Sequence, residues 1–411
     1  MLSKSITYRL LGSILAFMAN IGMSFWVEKS QLGLFFFYTN LFAILGVLMT
    51  MGMPNIVTRL CDSEDMARVS RYLLIASRKI VKNFVYLLFI MIAYILIFHG
   101  SNEILFLIIT FAAVPFMCIT SMLSALLRGI GEPVNAALPE AFVRPASFFT
   151  LVSIHHYFTS ELNINVLAFY FFISWIACST TFLKFYKQIA SNLKFNSTNA
   201  KYNRDSYNKE SRVIFYNYVL VTLMFFVDIA ILKFLGGNEM VSEYRLPYLA
   251  SSTLTIIVSA GNFQLAALVN NQQPDYEVKV LEYNQLRFKI AYLSVLSIIP
   301  LGFLCKLYAD TISSAYSNFW SLFIIMSFFM LSYSHYGMAS TFLNLTNRAA
   351  EITKASITIV ILNIILNLLV FYMLQFSKLP PELGVAFVTG LLMFVYNRLL
   401  NFKIVNKQAN A

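Results

Sequence analysis

The chain is 411 residues long, 59% hydrophobic and only 12% charged, whereas soluble proteins carry about 25% charged residues. Apolar stretches of about 20 residues, each able to cross a hydrocarbon core about 30 Å thick, follow one another almost without interruption, which leaves little chain for a soluble domain. The net charge of +11 therefore implies no nucleic-acid partner and has first to be sorted by membrane side.

Twelve spans are predicted, at about 8–27, 33–53, 81–99, 103–126, 134–157, 163–184, 213–233, 243–268, 288–307, 319–344, 355–375 and 382–402. With the N-terminus, the even-to-odd loops and the C-terminus on one side, nearly all of the 30 Lys and Arg gather there. The opposite side holds Lys29, Lys233, Arg245, Lys306 and Lys378, and Arg144 alone is assigned to a span interior. Both termini are thus expected in the cytoplasm. Lys4 and Arg9 start the first span as they would a signal peptide, but no small-residue cleavage site follows, so the span is expected to be retained. Cys61, Cys118, Cys178 and Cys305 are widely separated, with no metal-ligand or redox spacing, and are expected to pack as small apolar residues.

Trp26 and Lys29 mark the outer end of the first hairpin, where an amphipathic ring and a snorkelling amine belong. Span 2 closes at Gly52-Met-Pro-Asn-Ile-Val-Thr-Arg59, and Pro54 should loosen the helix and free a backbone carbonyl there. From Cys61 to Lys82, Arg68, Arg71, Arg78, Lys79 and Lys82 alternate with apolar residues, which predicts a surface-lying amphipathic helix on an anionic leaflet. His99, His155 and His156 fall near the outer face, where imidazoles wetted by headgroup water need no further role. The polar stretch from Lys184 to Arg212 divides the spans six and six. Residues 1–185 form an N-terminal lobe, 186–212 a basic cytoplasmic linker and 213–411 a C-terminal lobe. Gly52-Met-Pro-Asn at the end of span 2 matches Gly261-Asn-Phe-Gln at the end of span 8, a weak parallel repeat of the kind that encloses a central cavity.

Arg144 lies about ten residues into span 5, roughly 15 Å deep and close to the bilayer midplane. A cation there is costly and marks a functional site by default. Glu140 stands one turn earlier, at the i, i+4 spacing that allows a self-neutralising ion pair. Otherwise, Arg144 would offer a planar fork of donors to a substrate phosphate or carboxylate. Pro139 and Pro145 flank the pair and should bend the helix. Asp228 lies about 24 Å along span 7 from Arg212, at a level where Arg245 of span 8 could pair with it. Such a pair could be structural, or a switch opened by protonating or cation-loading Asp228. His335 is the deepest histidine, and a hydrogen-bonded imidazole competes there with a proton carrier. Asn262 and Gln264 of span 8 are candidates for lining a polar path, against the plainer reading of interhelical glue. No phosphate-binding Gly-rich loop occurs, so ATP hydrolysis has no support. No long extracytoplasmic loop is present to hold a glycan acceptor, which disfavours a membrane polymerase or ligase. With no catalytic residues, no metal site and no cofactor expected, transport remains.

The pattern of Gln31-Leu-Gly-Leu-Phe-Phe-Phe-Tyr38 followed by Gly52 to Arg59 resembles the opening of Wzx-type polysaccharide flippases of the multidrug/oligosaccharidyl-lipid/polysaccharide (MOP) exporter superfamily. Leu127-Arg-Gly-Ile-Gly131 with Glu140 to Pro145, and Asp228 with Asn238 to Tyr244, are similar to that family's later motifs. The resemblance implies an all-α polytopic membrane protein, a MATE-like V of two pseudo-symmetric six-helix lobes around a central cavity. It also implies a substrate, an undecaprenyl-diphosphate-linked oligosaccharide of O-antigen or capsule type, moved from the inner to the outer leaflet of a bacterial inner membrane. Arg144, Glu140, Arg245, Asn262 and Gln264 are the expected substrate residues. Asp228 and His335 are the candidates for coupling to H+ or Na+. Expected partners are membrane lipids and the polymerase and chain-length machinery of the same pathway. The competing expectation is an ion-coupled multidrug or small-molecule antiporter of the same fold, although span 1 lacks the acidic residue such pumps carry.

Overall fold

A computed structural model describes residues 2–62, 66–97, 103–159, 162–185, 204–270, 276–312, 315–346 and 348–409. All regular structure among them is helical, as lipid requires of a chain whose backbone groups must find partners within their own segment. Packing divides the chain into two compact units: Met1–Gln31 with Tyr38–Val219, and Leu32–Phe37 with Leu220–Ala411. The division falls inside a helix; of the expected linker 186–212, residues 186–203 lie outside the described ones, as does His99.

In the first unit α1 (Leu2–Trp26) and α2 (Lys29–Thr50) are followed by α3 (Met53–Asp62), α4 (Met66–Ile97) and the jointed pair α5 (Glu103–Ala112) and α6 (Val114–Gly129). Span 5 is then built from α7 (Pro133–Ala137), a π turn (Leu138–Val143) and α8 (Arg144–Phe158), and span 6 from α9 (Ile164–Thr181). The second unit opens within α10 (Arg204–Met224), which breaks before α11 (Val227–Gly236). It continues through α12 (Asn238–Ser252), α13 (Thr255–Asn270), α14 (Tyr276–Ile312), α15 (Phe319–Tyr336), α16 (Ala339–Leu345), α17 (Ala349–Gln375) and α18 (Pro381–Ala409). These paths follow the twelve expected spans, and among the described residues nine runs are long and apolar enough to cross a membrane.

Three local expectations change. The basic segment before span 3 is no separate surface helix, because α4 runs unbroken for 32 residues, about 48 Å at helical rise. Its first turns bury Val69, Tyr72 and Ala76 in a core shared with α3 and α6, which holds them upright on the bundle. Pro54 does not loosen span 2: the chain turns at Met51 and Gly52, both left-handed at φ 46° and 71°, and Pro54 sits in the first turn of α3, where its missing N–H costs nothing. Gly52 and Gly261 are also not equivalent, since Gly261 lies within the continuous helix α13. All four cysteines are buried and none is in a disulfide among the described residues.

Candidate functional site

Span 5 is shaped by its two prolines. Pro145 has no N–H to give to the carbonyl of Ala141 four residues earlier, so the α-helical ladder fails there. The chain winds instead as a π turn, in which the Arg144 amide reaches the Pro139 carbonyl, and such turns recur at functional sites. Helix α1 closes on this irregular surface at Gly12, where a Cβ would fall 1.6 Å from the Ala141 oxygen. Only a residue without a side chain lets the backbones meet so closely.

The wider winding rotates Arg144 relative to an ideal α-helix, and no ion pair joins it to Glu140 among the described residues. Glu140 is exposed. The Arg144 guanidinium instead lies over the indole of Trp175 on α9, 4.9 Å from the ring centroid, a favourable face for a cation. Its Nε and the Trp175 Nε1 are both buried without a hydrogen-bond partner. Phe42 and Phe171 fix the indole, with centroids 5.4 and 6.4 Å away. Glu140 acts electrostatically on Arg9 of α1, as does Arg128. Arg9, Arg128 and Glu140 thus interact within the first unit, Glu140 one turn before Arg144. Arg9 is read in the sequence only as the basic start of span 1, and Trp175 is not singled out there. Arg9 stands three residues before the glycine that brings α1 onto span 5; that spacing is its only sequence signal. The Arg144–Trp175 contact joins residues of different spans and leaves no trace in local spacing.

In the second unit, Asp228 is 1% exposed and does not pair with Arg245. One carboxylate oxygen accepts the Ile229 amide at 2.8 Å and the other the hydroxyl of Tyr244. The Tyr244 and Tyr248 rings stack 6.5 Å apart, and Arg245 lies 4.4 Å over Tyr248. The expected ion pair is thus replaced by a chain of carboxylate, two phenols and guanidinium, because the α10–α11 break starts α11 just before Asp228 and turns it toward α12. The same break exposes the Met224 carbonyl, which accepts the Asn363 amide at 3.0 Å. Asn363, Asn367 and Thr389 then bond to one another across α17 and α18. His335 has no carboxylate partner among the described residues: it packs edge-on against Tyr336 at 4.5 Å and Phe288 at 5.3 Å. Asn262, whose Oδ1 is buried without a partner, shares α13 with Gln264, and neighbouring Gly261 abuts Met338 at the α15–α16 joint.

A family profile described as polysaccharide biosynthesis protein matches residues 3–264, which includes span 5, Asp228 and Arg245. The chain belongs to the polysaccharide biosynthesis protein family. A search among curated proteins gave no significant match. The fold of this family member is that of solved MATE transporters. It aligns with a crystal structure of a MATE mutant at TM-score 0.72 and 13% identity, over 99% of this chain and 96% of the other. An outward-facing multidrug resistance MATE transporter of the MOP superfamily gives 0.71 and 14%, over 100% and 96%. A MOP superfamily transporter from Pyrococcus furiosus, described as having a binding pocket of reverse polarity, gives 0.66 and 13%, over 98% and 95%. The family member therefore has the multi-pass helical fold of these transporters.

Proposed function

We propose that this family member is a transporter, a Wzx-type flippase carrying an undecaprenyl-diphosphate-linked oligosaccharide of O-antigen or capsule type from the inner to the outer leaflet of a bacterial inner membrane, with both termini in the cytoplasm. The observation that carries the reading is Arg144, a guanidinium in mid-span that no carboxylate neutralises and that an indole holds in place. Oriented, uncompensated arginine suits a diphosphate, which accepts two parallel N–H bonds. Arg9 and Arg128 add positive charge nearby. In the second unit, Arg245, Asn262 and Gln264 are assigned to the sugar and phosphate groups. Alternating access by the two units would turn the headgroup while the prenyl tail stays in lipid. Asp228 and His335 are the candidates for coupling to H+ or Na+, and the polymerase and chain-length proteins of the pathway are the candidate partners.

A drug antiporter is the second reading, favoured by the multidrug transporter among the structural neighbours. Binding separates the two. Purified protein should bind a lipid-linked oligosaccharide diphosphate and ignore lipophilic cations, and Arg144→Ala should weaken the first by about 10- to 100-fold, the worth of a charge-assisted hydrogen bond. Tight binding of ethidium, unaffected by Arg144→Ala, would favour the drug pump.

A further inference from the structure

The far end of the second unit carries two arginines in contrasting circumstances. Arg348 is saturated: it grips Glu351 with two nitrogens at 2.6 and 3.0 Å, and also bonds the Tyr276 hydroxyl at 2.8 Å and the Lys403 carbonyl at 3.0 Å. Arg287 on α14 has no carboxylate partner among the described residues. It donates to the Asn401 carboxamide oxygen at 2.7 Å, an atom that also accepts the Tyr283 hydroxyl at 2.9 Å. Its Nε is buried without a partner. What orients it is aromatic: the guanidinium lies 4.9 Å from the Phe288 ring and 5.7 Å from that of Tyr336. Tyr336 in turn meets Phe394 of α18 at 6.2 Å, and exposed Arg398 lies 5.9 Å over Phe394. Two guanidinium groups are thus mounted on two touching rings, with no acid paired to either among the described residues.

Depth and surroundings say what such a pair faces. The opposite ends of α15 and α18 share one level, because Asn318, just before α15, bonds Glu382 at the start of α18 at 2.8 Å, and Tyr308 of α14 reaches that level against Phe319, ring centroids 5.0 Å apart. Counting from Tyr308, Phe319 and Pro381, the residues Arg287, Tyr336 and Arg398 lie about 25–32 Å away, at the far boundary of a hydrocarbon core about 30 Å thick. That is the depth of headgroup phosphates. Between that level and the opposite end, α14 exposes Tyr292, Ile299 and Phe303 at 66%, 70% and 66%, and α18 exposes Leu391, an apolar surface on which acyl chains can lie.

We propose that Arg287 and Arg398 form a site for the phosphodiester of an anionic phospholipid, held on the second unit independently of the transported substrate. The rings pre-orient the guanidinium donors, and the exposed apolar stripes receive the tails. The test is retention of phosphatidylglycerol by the full-length protein, measured by native mass spectrometry after extraction from bilayers that mix it with phosphatidylcholine. Wild type should retain phosphatidylglycerol preferentially, and each arginine-to-alanine change should lower that preference by about fivefold, the weight of one basic residue near an anionic surface. Arg398→Ala is the variant to rely on, since its exposed side chain supports no core contact and cannot be confused with misfolding. Arg71→Ala with Arg78→Ala, at an exposed basic face of the first unit, should leave the retained lipid in place. Methyl phosphate in excess should not displace it. Equal retention of both lipids by wild type, unchanged preference in Arg398→Ala, loss through Arg71 and Arg78 instead, or displacement by methyl phosphate would each overturn the proposal.

Discussion

Arg144 and Glu140 stand four residues apart yet do different things. With no ion pair between them, removing the carboxylate should not strand the cation. Glu140→Gln is therefore expected to transport near the wild-type rate, whereas Arg144→Ala should lose most transport at unchanged protein yield. Equal loss in both variants, tracking the amount of folded protein, would return the pair to a structural role. Tyr244 offers a second test at this scale. Its hydroxyl bonds the buried Asp228 carboxylate, so Tyr244→Phe should lower stability by about 1–3 kcal/mol, seen as an earlier thermal unfolding transition. Sequence reading reached Arg144 and Asp228 because a charge inside an apolar run is conspicuous. It did not reach their partners: Trp175 and Tyr244 look like ordinary span aromatics until the fold sets them beside a charge.

Helices α1 and α8 illustrate what spacing can and cannot tell at the next scale. Two prolines six residues apart predict a bend, and the bend is there. Its form, a π turn with α1 pressed on a freed carbonyl, depends on Gly12, more than 120 residues upstream in the chain. Gly12→Ala should accordingly force α1 off span 5 and cost about 1–3 kcal/mol, the usual penalty of overpacking a tight contact, with transport falling alongside thermal stability. Gly52 is a different case: its φ of 71° makes Gly52→Ala strained by about 1 kcal/mol even where space exists. An unchanged melting temperature in either variant would contradict these assignments. The α4 extension was misjudged for a related reason. An amphipathic pattern reports one buried face, and cannot say whether that face meets lipid or a neighbouring helix.

For the molecule, spans were legible because each needs only its own residues to satisfy length and apolarity. The family followed from motifs spread along the first two-thirds of the chain. What the sequence left open was how charges distribute within each unit: an arginine-rich end at span 5, a neutral and acidic polar core around α11 and α17, and an unpaired aromatic-mounted arginine on α14. Such a distribution suits a carrier that meets an anionic headgroup in one unit and a coupling cation in the other. The direct test is translocation of a defined undecaprenyl-diphosphate-linked oligosaccharide in vesicles, scored by its accessibility on the outer leaflet with and without a proton or sodium gradient. The expected result is movement that needs Arg144. No movement under any gradient, or movement indifferent to Arg144→Ala, would contradict the account.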